Sequence, residues 1–130
     1  MKYLCLVYGE ESKIAQMDDH QCLAYDRAMR ESGRCLASEA LESTSTATTV
    51  RVRNGRLSVS DGPFAETKEQ LAGFYLVEAR DLNEAIQLAA KIPPAAVGCV
   101  EVRPIRPIRE QPRTGTGSAA TAATSVTGTE

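Results

Sequence analysis

Apolar residues in this chain fall into short runs whose period changes from place to place, and each change marks an element. "KYLCLVYG", residues 2–9, is almost continuously apolar and rich in strand formers, as a central strand with two covered faces should be. After a loop, Asp18 or Asp19 is placed to cap a helix that ends near Gly33. Cys22, Tyr25 and Met29 share one side of that helix, with Arg27 and Glu31 opposite. "CLASEAL", residues 35–41, reads as a second strand. Alternation over 49–53, the pair Asn54-Gly55, and alternation back over 57–60 then predict a hairpin. Asn-Gly suits its type I′ turn because both central residues need positive φ. Residues 72–79, "AGFYLVEA", form another strand that is apolar on both faces. Asp81 and Glu84 make a capping-box pattern at the start of a helix whose apolar stripe is Ala85, Ile86, Ala89 and Ile92. Pro93-Pro94 stops it. The last strand covers 98–105, with Val100 and Val102 on one face and Glu101 and Arg103 on the other.

The order is β-α-β, hairpin, β-α-β. Without the hairpin this is the split βαβ plan of a ferredoxin-like α+β domain, a sheet with both helices on one face. Two helices leave the second face bare, yet the first and fifth strands are apolar on both sides. The simplest cover is the same face of a second copy, so a homodimer paired through its sheet faces is expected.

Composition narrows the possibilities. The 130 residues suit one domain, and 42% apolar with 25% charged is ordinary for a globular chain. Fifteen basic against seventeen acidic residues give a formal charge of -2, which argues against a nucleic-acid partner, since a clustered basic face is missing. No run approaches the ~20 apolar residues of a membrane span, and the N-terminus lacks a signal peptide's long apolar region. No membrane association and a cytoplasmic location are therefore expected. The cysteines at 5, 22, 35 and 99 are far apart. Cys5, Cys35 and Cys99 sit in strand-like apolar contexts where a thiol packs as a small hydrophobe. With one histidine and no close ligand pair, no metal site is expected, and no phosphate-cradling glycine loop calls for a nucleotide cofactor. The domain is expected to span 1–110, and 111–130, small, polar and low in complexity, reads as a flexible tail.

"DGPFAETKEQLAGFYLVEARDLNEAIQLAAKIP", followed by "VEVRPI", resembles the DGPF family of the YCII-related superfamily, and the likeness extends over roughly 1–105. The resemblance implies a ferredoxin-like fold pairing as a dimeric α+β barrel. Relatives in that wider fold group include small monooxygenases, muconolactone-type isomerases and a dehalogenating lyase. Many DGPF proteins have no established activity, and some are encoded beside extracytoplasmic-function sigma factors. The superfamily is associated with a His-Asp pair suited to acid-base chemistry. Here the single histidine, His20, lies nearly opposite the helix's apolar stripe and should face solvent beside Asp18 and Asp19.

The segment joining the hairpin to the next strand carries the candidate chemistry. Asp61, Glu66 and Lys68 are the candidate catalytic groups: a carboxylate beside a lysine at a pocket mouth can serve as a base or hold a polar substrate. Phe64 would form an apolar wall, Tyr8 and Tyr75 would present hydroxyls from central strands, and Arg103 would reach an anion near the sheet end. If the segment is extended, Glu66 and Lys68 point the same way. Each group also has a structural reading. Asp61 can shape an Asx turn, Glu66, Lys68 and Glu69 can be a solvated crossing, Phe64 can plug a core or dimer seam, and the tyrosines can simply pack. Two functions fit: a dimeric binding or accessory protein for a small polar or anionic metabolite, or a cofactor-independent lyase or isomerase using carboxylate acid-base chemistry.

Overall fold

The computed structural model describes residues 1–109. The expected tail, 111–130, lies outside the described residues. Six strands and three helices follow the order β1 (Lys2–Gly9), α1 (Glu11–Ala15), α2 (Asp19–Glu31), β2 (Cys35–Ala40), β3 (Thr48–Arg53), β4 (Arg56–Asp61), β5 (Gln70–Glu78), α3 (Leu82–Ala90) and β6 (Cys99–Pro104). Short 3-10 turns occupy Thr44–Thr46 and Pro93–Ala96. The main sheet runs β2-β5-β1-β6, antiparallel throughout, and β3-β4 form a separate hairpin. This is the ferredoxin-like α+β arrangement with an inserted hairpin.

Local chemistry sets the helix boundaries. Asp18 accepts from the His20 N–H at 2.9 Å to start α2, which ends before Gly33, whose φ is 77°. Asp81 caps α3 by accepting from the Glu84 N–H at 2.9 Å, and the Glu84 carboxylate accepts from the Arg80 N–H at 2.7 Å. The same carboxylate meets Arg34 at 2.7 Å, tying α3 to the chain just before β2, and these bonds to its ionised form hold Glu84 below the usual carboxylate range. In α3 the stripe differs from expectation at one place. Ala85, Ala89 and Ile92 are buried, but Ile86 is exposed and Leu88 packs against the core instead. The five-residue α1 stands where the sequence pattern predicts loop, because one turn of helix is too short to show a period.

The core lies between the helices and one sheet face. Tyr3, Cys5 and Val7 of β1 and Tyr75 and Val77 of β5 meet Met29, Ala85, Ala89 and Ile92 there, with Cys5 fully buried and Val77 1% exposed. Burial pushes the Cys5 thiol up to about 11. Cys99, expected to be buried, is exposed, because it pairs with Tyr8 on the opposite face. That face carries Leu4, Leu6, Phe74 and Leu76 at its centre, each only partly buried, with Glu39, Glu101 and Arg103 toward the edges.

Two bulges interrupt the alternation. The β1–β5 register steps from Val7–Gly73 to Tyr8–Leu71, leaving Ala72 unpaired and setting Leu71 beside Tyr8. The β2–β5 register steps from Cys35–Val77 to Ala37–Leu76, which turns Ser38 to the helix side, where Arg30 donates to it at 3.0 Å.

Candidate functional site

The connection from β4 to β5 begins at Gly62, whose φ of 96° favours glycine. Its N–H donates to the Ala47 carbonyl at 2.7 Å, and its carbonyl accepts from the Thr49 hydroxyl at 2.8 Å. These bonds anchor the turn to the chain entering the hairpin. Among the described residues no donor meets the Asp61 carboxylate, and Pro63, two residues on, has no N–H with which to close the expected Asx turn. From Pro63 the chain continues to Glu69 without regular structure, as one wall of a cleft of about 660 Å³. The link from Leu41 to Thr49 makes the opposite wall, and Tyr8, Gln70 and Leu71 contribute from the sheet.

One hydrogen-bond network braces both walls. The Glu11 carboxylate, at the start of α1, accepts from the Ser43 hydroxyl at 2.9 Å and from the Thr44 N–H at 2.7 Å. These donors, the backbone N–H first, hold its carboxyl below the usual carboxylate range. The Glu11 N–H donates to the Gln70 side-chain oxygen at 3.3 Å, while Gln70 Nε2 donates to the carbonyls of Thr67 at 2.5 Å and Lys68 at 3.3 Å. Thr67 Oγ1 donates to the Glu69 carbonyl at 2.6 Å. Sequence reasoning missed Glu11 and Gln70. Each is an ordinary polar residue at the edge of an element, and its role appears only when the fold brings together positions up to 59 apart.

The candidate residues divide. Tyr8, Phe64 and Glu66 line the cleft together, and Phe64, 80% exposed, plugs no core. Asp61 and Lys68 are not among the lining residues. Glu66, Thr67 and Glu69 line the cleft while Lys68 does not, so the segment lacks the two-residue alternation of an extended strand. Tyr75 lies on the opposite sheet face from Tyr8 and donates from its hydroxyl to Asp26. Arg103 pairs with Glu101 at 3.4 Å on the face of the sheet that no helix covers. His20 is exposed at the start of α2, as expected. Among the described residues, no three His, Cys, Asp or Glu side chains converge as metal ligands would, and no helix is long and apolar enough to cross a membrane.

Comparison with known proteins places this geometry. The sequence pattern of the YCII-related domain matches residues 1–109, all of the chain that builds the sheet, the helices and the cleft. The chain belongs to the YCII-related domain family. It is 38% identical over 114 residues to Uncharacterized protein R00369 of Rhizobium meliloti (strain 1021), a match covering 81% of this chain and 92% of the relative. Family membership agrees with the ferredoxin-like fold and carries no reaction with it.

A second, smaller cavity of about 160 Å³ lies in this YCII-related domain between α2 and the sheet. Asp26, Cys22 and Asp19 reach it from the helix side, and Ser38 and Tyr75 from the sheet. Tyr25 stacks edge-on against Tyr75, with ring centroids 5.5 Å apart, and donates to the Leu88 carbonyl at 2.7 Å. Burial, and for Tyr75 the bond to Asp26, pushes both phenols far up, so both stay protonated donors at any physiological pH. Burial and then the nearby Asp26 also raise the Cys22 thiol. Of the polar groups at this cavity, Tyr75 and Asp26 hold each other, and Ser38 is held by Arg30.

Proposed function

We propose that this protein is a small homodimeric binding protein whose ligand, a small polar metabolite, sits in the cleft between the 62–69 segment and the base of the hairpin, and that it acts as an accessory or regulatory component. The carrying observation is the cleft itself. Its volume of about 660 Å³ lies within the usual range for small-molecule sites, its walls mix apolar and polar groups, and Glu11 and Gln70 hold both walls in place. Ligand sites are normally largely pre-formed, and a braced cleft meets that condition.

Two features support the dimer. The uncovered face of the sheet has an apolar centre at Leu4, Leu6, Phe74 and Leu76, and soluble subunits rarely leave such a patch wet. Tyr8 belongs both to that face and to the cleft, so a partner seated on the face would adjoin the ligand. Binding is favoured over acid-base catalysis because Glu66 enters the cleft without Lys68, which was to have stabilised negative charge.

A metabolite screen by thermal shift tests the reading, since anything bound by the native state alone raises the melting temperature. Hits whose shift disappears in Phe64→Ala support the cleft. Hits indifferent to that change, or a screen that yields none, overturn it. Light scattering tests the dimer separately: a monomer mass at micromolar concentration removes that part of the proposal.

A further inference from the structure

Resting on the cleft as the ligand site, we infer that its ligand is a hydrogen-bond donor with an apolar body, specifically a small alkyl or aryl ammonium. The warrant is the accounting of polar groups around the cleft. Most side-chain donors in its walls are already engaged within the protein. The Ser43 hydroxyl donates to Glu11, Thr46 to the Ser43 carbonyl at 2.7 Å, Thr49 to Gly62, Thr67 to Glu69, and Gln70 Nε2 to two main-chain carbonyls. Two hydroxyls remain without a partner among the described residues, those of Tyr8 and Thr48. Against them stand the carboxylates of Glu42, Glu66 and Glu69, of which only Glu69 is engaged, by the Cys99 thiol at 3.7 Å. No Lys, Arg or His is among the described residues that line the cleft.

Unused carboxylates accept and do not donate, and a hydroxyl accepts as readily as it donates. An anion placed here would meet like charge without a compensating cation. An ammonium would donate to Glu66 and Glu42 in charge-assisted bonds, which are the stronger kind. The apolar side of the cleft suits the same ligand. Leu41, Pro63 and Leu71 offer a hydrocarbon surface, and the exposed ring of Phe64 presents a π-face that attracts a cation. The anionic ligand that Arg103 was expected to hold has no support in this cleft, since Arg103 pairs with Glu101 elsewhere.

Three probes of similar size separate the possibilities: 2-phenylethylamine, 2-phenylethanol and 3-phenylpropionate, titrated calorimetrically into the full chain. The amine should bind most tightly, the alcohol more weakly, and the carboxylate not measurably. Glu66→Gln should weaken the amine about tenfold while leaving the alcohol nearly unchanged. Glu31→Gln, which removes an exposed charge from α2 far from the cleft, should alter neither. Equal loss of amine binding in Glu31→Gln would show diffuse attraction to a negative protein and overturn the inference. Tighter binding of the carboxylate than of the amine would overturn the ligand class while leaving the cleft as a site. Failure of all three probes would overturn the class too, whereas the cleft itself stands or falls on whether the screen's hits need Phe64.

Discussion

The main sheet and the hairpin each gather apolar side chains on one face, and those faces meet opposite fates. On the helix side of the sheet, Cys5, Val77 and Ile92 are almost wholly withdrawn from water. In the hairpin, Val50 faces Val59 and Val52 faces Leu57, a cross-strand apolar row as regular as any in the sheet. All four are 58% to 68% exposed. Alternation specifies which side chains share a face, but it says nothing about whether anything covers that face. The hairpin holds its shape through its turn. Asn54 and Gly55 take φ values of 52° and 73°, so two residues close the loop with the strands in register.

The sharpest test of the contrast is a matched pair of truncations. Ile92→Ala, in the core, should cost about 2–5 kcal/mol by chemical denaturation. Leu57→Ala, in the hairpin row, should cost less than about 0.5 kcal/mol in an isolated subunit. Similar losses for the two would mean that the hairpin row is covered in solution. A second test concerns the face of the sheet without helices. Leu6→Glu should halve the mass seen by light scattering and leave the far-ultraviolet circular dichroism intact, because the charge disrupts a packed interface but not a wet one. Unchanged mass would show that this face is not where copies meet.

Smaller effects separate the cleft from both regions. Gly62→Ala puts a Cβ at φ 96° and should destabilise by about 1–2 kcal/mol, since nothing crowds the site and the strain is purely torsional. It should also loosen the 62–69 wall and weaken any cleft ligand more than Gly55→Ala does. The last test is a pH dependence. The folded Glu11 carboxyl ionises below its ordinary value because Thr44 and Ser43 donate to the charged form. Its contribution is therefore complete above the ordinary Glu range, about 4.3, and is lost as pH falls through the lower folded value. Melting temperatures followed downward through that window should drop more in the native protein than in Glu11→Gln. Parallel curves would mean that the clasp adds nothing to stability.

Much of the fold was legible because its determinants are local. Asp18 and Asp81 cap their helices, Asn54-Gly55 closes the hairpin, and Pro93-Pro94 stops α3 and enters a 3-10 turn. The candidate site was half legible. The run around Phe64 and Glu66 drew notice as an over-charged connection, and both residues reach the cleft with Tyr8. Lys68 does not, because an irregular segment follows neither the helical nor the strand period, and Asp61, the last residue of β4, stays outside the cleft. The bulges at Ala72 and Leu36 left no mark in the residue pattern either, yet the first sets Leu71 beside Tyr8 and the second turns Ser38 toward α2.

What the sequence alone determined is therefore the set of elements, their order, and which side chains share a face, since caps, turns and periodicity act over a few residues. The partition into covered and open surfaces, the clasp from Glu11 to Gln70, and the cleft between two connections were decided only in three dimensions. Each depends on residues tens of positions apart being brought within hydrogen-bonding or packing reach. Such meetings follow from the antiparallel order of the strands, and no local rule encodes them.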